Sequence, residues 1–237
     1  MSAVALVSSL AGDVHPGQRE RKYLLDGKAA RAFWNEASEH LAPRLEDAAR
    51  PVAYARTTYY DTRAGAFARS GQGRVARRLR VREYAAAATA DGVPVLTGDC
   101  FVELKESAGG RRAKSRVRAH LDEVAALLAR HTPEQVFPCV TTWYRRAVLT
   151  DAREALRVTL DDRLAFCAPV TVGAACVGRE PPGVLARSPG FVLEVKLWEE
   201  PAWLTRALRG LHEAVGFSKF HEGMRAADGG TAGRWAA

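Results

Sequence analysis

The feature that most constrains this 237-residue chain is a set of predicted strands in which cationic and apolar residues alternate. In the segment 75–84 (VARRLRVREY), Arg78, Arg80 and Arg82 fall on one face and Leu79 falls on the other. This follows because successive side chains of a strand point to opposite faces. Such a segment predicts a sheet with one apolar face that packs on a core and one face lined with cations.

The same alternation recurs along the chain with a second element, the pattern E-x-K. Three pairs repeat it, each with both members on one face: Glu20 and Lys22, Glu103 and Lys105, and Glu194 and Lys196. Other segments add cations on one face: Lys114 with Arg116, Tyr144 with Arg146, and Arg157 with Asp161. A solvent-facing sheet can also alternate in this way. The recurrence of cations on so many strands instead favours the interior of a closed sheet, which a bound polyanion would stabilise.

The order of predicted elements indicates an α+β fold with a mostly antiparallel sheet, because many strands occur with few helices and without a βαβ rhythm. Predicted helices cover 28–41, 120–130 and 202–215, and predicted loops cover 65–73, 85–98 and 178–190. We expect a flexible tail at 1–17, one domain at 18–226 and a second tail at 227–237.

Charge and cysteine content narrow the function classes. The formal net charge of +8 favours a polyanionic partner. The four cysteines form no C-x-x-C pair and have no histidine at zinc-finger spacing, which is typical of reduced thiols in a cytoplasmic protein. No run approaches the roughly 20 apolar residues that a membrane-spanning helix needs. We therefore expect a cytoplasmic protein without a membrane span.

The charged strands carry a resemblance to a known superfamily. The segments that carry it lie in order along the chain: QRERKYLL (18–25), TTYYDT (57–62), RRLRVREY (77–84), FVELKES (101–107), KSRVRA (114–119), TTWYRRAVL (141–149), LRVTLDD (156–162), FVLEVKLWE (191–199) and FSKFHEG (217–223). Together they resemble the triphosphate tunnel metalloenzymes of the CYTH-like fold. Within that superfamily the chain is most similar to the VTC domain, the polyphosphate polymerase domain of the vacuolar transporter chaperone complex.

The resemblance implies a closed antiparallel β-barrel tunnel of about eight strands with flanking helices. It implies phosphate contacts at six positions: Lys22, Arg80, Arg82, Lys105, Arg146 and Lys219. Further substrate contacts are expected at Arg78, Lys114, Arg116, Arg157 and Lys196. Glu194 and Glu20 are the expected ligands of a divalent metal, Mn²⁺ or Mg²⁺.

The leading hypothesis is transfer of the terminal phosphoryl group of a nucleoside triphosphate onto a growing polyphosphate chain. One departure bears on this choice: the tunnel triphosphatases open with E-x-E-x-K, whereas Gln18 occupies the first position here. The loss of one carboxylate weakens a two-metal hydrolytic site and fits the VTC branch.

Three alternatives remain at the level of the sequence. The same fold could use water as the acceptor, as an inorganic triphosphatase or nucleoside triphosphatase, with Glu20 or Glu103 as the base. It could bind polyphosphate without catalysis. A nucleic-acid binder is not favoured, because the interleaved carboxylates of E-x-K would repel a duplex backbone.

Overall fold

The computed structural model describes residues 18–70, 75–108, 111–176, 178 and 180–229; the predicted N-terminal tail and most of the C-terminal one lie outside this range. Strands and helices alternate irregularly along the described chain. In chain order they are β1 (Arg19–Leu25), α1 (Gly27–His40), β2 (Ala42–Pro43), β3 (Val52–Thr62), α2 (Ala66–Ser70), β4 (Val75–Ala87), β5 (Val95–Ala108), β6 (Arg111–Ala119), α3 (Val124–His131), β7 (Val136–Thr150), β8 (Leu156–Cys167), β9 (Val184–Arg187), β10 (Phe191–Leu197), α4 (Ala202–Ala207) and α5 (Lys219–Ala227).

All the described strands belong to one antiparallel sheet. Its order is β1-β10-β8-β7-β3-β4-β5-β6, with β2 paired to β7 and β9 paired to β8. This confirms the predicted α+β class with an antiparallel sheet. No helix of the described residues is both long enough and apolar enough to cross a membrane.

Closure of the sheet into a barrel is not confirmed. Within the described residues no ladder joins the two outermost strands, β1 and β6. The outer edge of β1 bonds instead to residues that follow α4. The Ala214 amide donates to the Lys22 carbonyl oxygen at 2.7 Å, and Tyr23 forms an isolated bridge with Glu213. That segment takes the hydrogen-bonding groups that a closing strand would need.

Two helical layers cover the convex, apolar face of the sheet. On one side α1 and α4 bury Phe33, Ala37 and Leu204 against residues of β1, β8 and β10 such as Val195. On the other side α3 buries Val124 and Leu128 in a cluster with outward-facing residues of β4 and β5. This apolar packing leaves the alternating charged residues on the opposite, concave face.

The last helix lies on the concave face, in contrast to the others. Gly223 of α5 sits so close to β7 that a Cβ atom there would lie 2.9 Å from Val140 Cγ2. Phe220 of α5 packs against Tyr59, with ring centroids 5.1 Å apart, and Val140 is the cross-strand partner of Tyr59. A helix residue larger than glycine at 223 would push α5 off the sheet, so glycine fixes its approach.

Several element predictions from the sequence need correction. The predicted helix at 202–215 ends at Ala207, where turns begin that lead to the contact with β1. The predicted loop at 178–190 contains β9, and the predicted loop at 65–73 contains α2. Asp61 explains α2, since its carboxylate accepts from the amides of Phe67 and Ala68, both at 2.8 Å.

Candidate functional site

One large cavity occupies the concave face, with a volume of about 1130 Å³. The strands β1, β3, β4, β5, β6, β7, β8 and β10 all contribute lining residues, as do α1 and residues 217–219. Of the thirteen residues that the sequence predicts for the site, twelve line this cavity, and Glu20 lies beside it in contact with the lining residue Lys22. The structure therefore brings together residues that are up to 197 positions apart in the chain, from Lys22 to Lys219.

The side of the cavity formed by β4, β5 and β6 is dominated by cations, and we call it the cationic wall. Its residues are Arg78, Arg80, Arg82, Lys105, Lys114 and Arg116, together with the carboxylate Glu103; Asp99 lines the same side of the cavity and pairs with Arg118. Arg82 is 8 % exposed, and its Nε donates to Thr57 Oγ1 at 3.2 Å. No acidic side chain of the described residues is in ion-pair contact with Arg82. This concentration of buried cations is suited to an anionic ligand that accepts several hydrogen bonds.

Glu103 organises the cationic wall. It is fully buried, and its Oε2 accepts from Arg80 Nε at 2.6 Å. Lys114 and Arg116 approach its other oxygen, Oε1, at 3.8 and 3.5 Å. Burial by itself raises the pKa of Glu103, but these cations outweigh it and hold the pKa far below the ordinary range. A carboxylate whose pKa is held this low is a weak general base. We therefore expect Glu103 to hold the neighbouring cations in place rather than to activate a water molecule.

Lys105 lies in the same wall, and charges on both sides of the cavity affect its pKa. Burial lowers the pKa of Lys105 to about 7, and the neighbouring Arg80 acts in the same direction. Glu20 of β1 and Glu194 of β10 act in the opposite direction. The two edges of the sheet therefore face each other across the cavity closely enough for their charges to interact.

The opposite side, formed by β1, β10 and β8, carries both signs of charge, and we call it the mixed wall. Its residues are Glu20, Lys22, Glu194, Lys196 and Arg157. Lys22 Nζ lies 3.0 Å from Glu20, and Lys196 Nζ lies 3.2 Å from Glu194. In the register of the two strands Lys22 is opposite Glu194 and Lys196 is opposite Glu20. The result is a square of alternating charges rather than a field of one sign.

The two glutamates of the mixed wall suit a divalent ion that phosphate oxygens also coordinate. Burial and Glu194 push the pKa of Glu20 up, and the surrounding lysines hold it below its ordinary value. The Thr159 hydroxyl, on the residue opposite Glu194, is buried and without a hydrogen-bond partner in the described structure. Mg²⁺ typically takes one or two carboxylates plus phosphate oxygens and water. No group of three or more His, Cys, Asp or Glu side chains occurs in the described residues, so substrate oxygens would have to complete the shell.

Between the two walls, Arg146 and Lys219 meet at a buried carboxylate that the sequence did not assign to the site. Asp161 accepts from Arg146 Nε at 2.6 Å and Nη2 at 2.7 Å, and from Lys219 Nζ at 2.7 Å. Tyr144 lies beneath both cations, with its ring centroid 5.1 Å from Arg146 Cζ and 4.7 Å from Lys219 Nζ. The Tyr144 hydroxyl is buried without a partner among the described residues.

The N-terminus of α5 contributes to the lining of the cavity. Phe217, Ser218 and Lys219 line it, whereas the following Phe220 packs into the core beside Tyr59. Helix N-termini attract anions through their free amide groups and dipole. Lys219 thus lies at a position where the helix and its side chain both favour a negative ligand.

Sequence reasoning missed the polar groups that lie behind or between the cations. Asp161 was noticed only as sharing a face with Arg157, and Thr159 and Tyr144 carry no charge to mark them. Strand parity alone could have placed Tyr144, because it lies two residues before Arg146 on the same strand. The contact of Asp161 with Lys219 joins residues 58 positions apart and has no local signal.

Part of this chain is similar to a known protein family. A family model described as the VTC domain matches residues 129–227. The matched part includes Arg146, Asp161, Glu194 and Lys219, whereas the cationic strands β4 to β6 precede it. Among solved structures, a Bacillus halodurans protein provisionally assigned as an adenylate cyclase is similar, with 14% sequence identity and a TM-score of 0.44 over 81% of this chain and 88% of that one. No curated protein matches by sequence. Residues 129–227 thus match the VTC domain family, which confirms over this part of the chain the resemblance read from the sequence.

Proposed function

We propose that the protein binds phosphate chains in this cavity and transfers the terminal phosphoryl group of a nucleoside triphosphate to polyphosphate. The observation that carries the proposal is that twelve predicted residues, from distant parts of the chain, line a single cavity. The VTC match supports a function related to polyphosphate or triphosphate. We further propose that the curled sheet encloses the bound chain as a tunnel, since Lys105 and Glu20 interact across it.

The chemistry requires little more than positioning and charge neutralisation, because phosphoryl transfer proceeds without a protein nucleophile. In this proposal Arg80, Arg82 and Lys105 bind the donor phosphates and keep the reacting oxygens in line. Lys219 and Arg146 bind the neighbouring phosphate. The terminal oxygen of the acceptor chain attacks the γ-phosphorus, the bond from that phosphorus to the β–γ bridging oxygen breaks, and the nucleoside diphosphate leaves. A divalent ion held by Glu194 and Glu20 would neutralise further charge on the transferred group.

An assay with ATP, and with Mn²⁺ or Mg²⁺, tests this proposal when run with and without a short polyphosphate primer. We expect chains that lengthen on a gel, with lengthening lost in Arg82→Ala and Glu194→Gln. The matched controls are Arg130→Ala and Glu199→Gln, whose side chains are exposed and outside the cavity. If the chains do not lengthen and no phosphate is released while polyphosphate still binds, the protein is a binding module and the transfer reaction is excluded.

Hydrolysis of a triphosphate is the second candidate, and the position of α5 favours it. Ser218 and Lys219 line the cavity, and in this alternative α5 closes one end of it, which suits a short substrate that enters and leaves by the same mouth. Release of free phosphate from tripolyphosphate or ATP without chain growth would establish this alternative. Chain growth would instead show that the product leaves past α5 or through the same mouth.

A further inference from the structure

We propose that Asp161 is a positioning residue that holds Arg146 and Lys219 side by side for a phosphate, an inference that rests on the proposed function. Asp161 is 1 % exposed and does not line the cavity, whereas both cations do. It thus lies behind them and contacts substrate only through them.

The geometry explains why a carboxylate is needed at this point. Two cations that face the same space repel each other, and nothing local holds Lys219 near Arg146, since they lie on α5 and β7. Asp161 is the cross-strand partner of Arg146 and also accepts from Lys219. One carboxylate therefore fixes an arginine of the sheet and the first residue of a helix in a single network.

The network leaves donors for a ligand. Asp161 takes the Nε and Nη2 hydrogens of Arg146 and one of the three ammonium hydrogens of Lys219. The remaining donors belong to two side chains that line the cavity. Beside them is the buried Tyr144 hydroxyl, which has no partner among the described residues. A phosphate at this place would meet preorganised donors rather than mobile ones.

The role of Asp161 can be separated from its charge by the sign of the effect. If the carboxylate acted only as a negative charge near a polyanion, Asp161→Asn would strengthen binding. If it positions the two cations, the same variant weakens binding of tripolyphosphate, by about tenfold or more, although the cavity has become more positive. In the transfer assay the same variant should raise KM by a similar factor.

The experiment measures tripolyphosphate binding to the full chain by titration calorimetry for the wild type, Asp161→Asn and Asp162→Asn. The last is a matched control for charge, because Asp162 also lines the cavity but forms its bidentate pair with Arg145 and takes no part in the network. We expect weaker binding in Asp161→Asn alone. Acylation of Lys219, followed by mass spectrometry without ligand, should become faster in that variant because the ammonium loses its partner.

A second variant covers the case in which Asp161→Asn does not fold. Asp161→Glu keeps the buried charge but displaces the carboxylate by one methylene. A positioning role therefore predicts weaker binding of tripolyphosphate, whereas a purely electrostatic role predicts unchanged binding. Unchanged or tighter binding in folded variants, with a wild type that binds, overturns the role of Asp161 alone. A wild type that does not bind tripolyphosphate overturns the proposed function and this role together.

Discussion

The two walls of the cavity are built from the same alternation of charged and apolar residues, yet they differ in their charge balance. The cationic wall sets six cations against Glu103, while Asp99 on the same side pairs with Arg118. The mixed wall sets Lys22, Lys196 and Arg157 against the two carboxylates Glu20 and Glu194. On the first wall like charges share a face, whereas on the second each lysine has a glutamate within 3.2 Å.

This difference indicates a division of labour. A wall with more cations than carboxylates has an excess positive charge that an anionic ligand can neutralise, so its contribution should appear in the binding affinity. A wall whose charges are nearly matched contributes little net attraction to an anion. Its carboxylates are instead available to a divalent ion, and its contribution should appear in turnover. The predictions that follow test whether binding and turnover separate in this way.

The largest effect is expected from Arg82→Ala on the cationic wall. Arg82 is buried, and among the described residues it has no carboxylate in ion-pair contact. Burial and nearby Arg80 lower the pKa of Arg82, but Tyr144, Glu103 and Tyr84 outweigh them and hold it above its ordinary value, so the guanidinium is charged. Removal should weaken tripolyphosphate binding at least about 100-fold, which corresponds to about 2.7 kcal/mol. Titration calorimetry of the wild type and the variant measures the loss.

The control for this prediction is Arg130→Ala, on the outer helix α3. It removes the same charge from the surface and should change affinity less than twofold or so, because exposed charges are screened. Equal losses in the two variants would mean that only net charge matters, and the distinction between the walls would fail.

Glu194→Gln on the mixed wall should separate turnover from binding. We expect the metal-dependent rate to fall by about 100-fold, because a ligand of the ion is lost. Metal-free binding of tripolyphosphate should become tighter, since one negative charge has left the cavity. Rates at several Mn²⁺ concentrations and a metal-free titration check both parts. A loss of metal-free binding as large as in Arg82→Ala would show that both walls bind phosphate in the same way.

The sequence predicted which charged residues share a face better than it predicted their partners, for a physical reason. A strand such as 77–84 reveals its cationic face through period-two alternation, and β4 shows Arg78, Arg80 and Arg82 on that face. The partners of those residues cannot be read locally. Glu103 looks like one half of an E-x-K pair with Lys105, yet its contacts are with Arg80 on β4 and with β6.

The accuracy of the fold prediction likewise depends on whether an element is determined by local sequence or by contacts with distant segments. The alternation at 75–84 predicts a strand from local sequence, and β4 begins at the predicted residue and continues to Ala87. Helix α5 escaped prediction because its segment is short and its core contacts are with distant strands. Closure of the barrel was predicted, but residues 213–214 lie along the edge of β1, and alternation within strands does not determine which segment covers an edge.

Glu103→Gln tests whether the buried carboxylate of the cationic wall stabilises the empty cavity. Its loss leaves Arg80 without a buried counter-charge, so unfolding free energy should fall by about 2 to 3 kcal/mol. The matched variant is Glu106→Gln, which breaks the partly exposed pair with Arg77 on the same two strands. That pair should contribute less than about 1 kcal/mol. Equal losses would show that burial adds nothing to the role of Glu103.

The pH dependence of this effect follows from the depressed pKa. The pKa of Glu103 in the folded protein lies below its ordinary value of 4.5. The stability that it contributes is therefore complete above pH 4.5 and declines as the pH falls toward the folded value. Denaturant unfolding between pH 3 and 7 should show the wild type losing its advantage over Glu103→Gln at the acid end.

The smallest expected effect concerns Lys105, because charges on both walls affect its pKa. Because burial lowers its pKa to about 7, the empty cavity holds Lys105 largely uncharged above that pH. A bound polyphosphate raises the pKa again, so binding above pH 7 must take up a proton, and affinity should fall as the pH rises from 7 to 9. We expect a decline of about tenfold relative to Lys105→Met, in which this component of the pH dependence disappears. Titration calorimetry in buffers of different ionisation enthalpy measures the proton uptake directly, with the exposed Lys28→Met as the control. An affinity profile that is parallel in the wild type and Lys105→Met would mean that the lysine is charged in the empty cavity, and that the mixed wall already supplies it with enough negative charge.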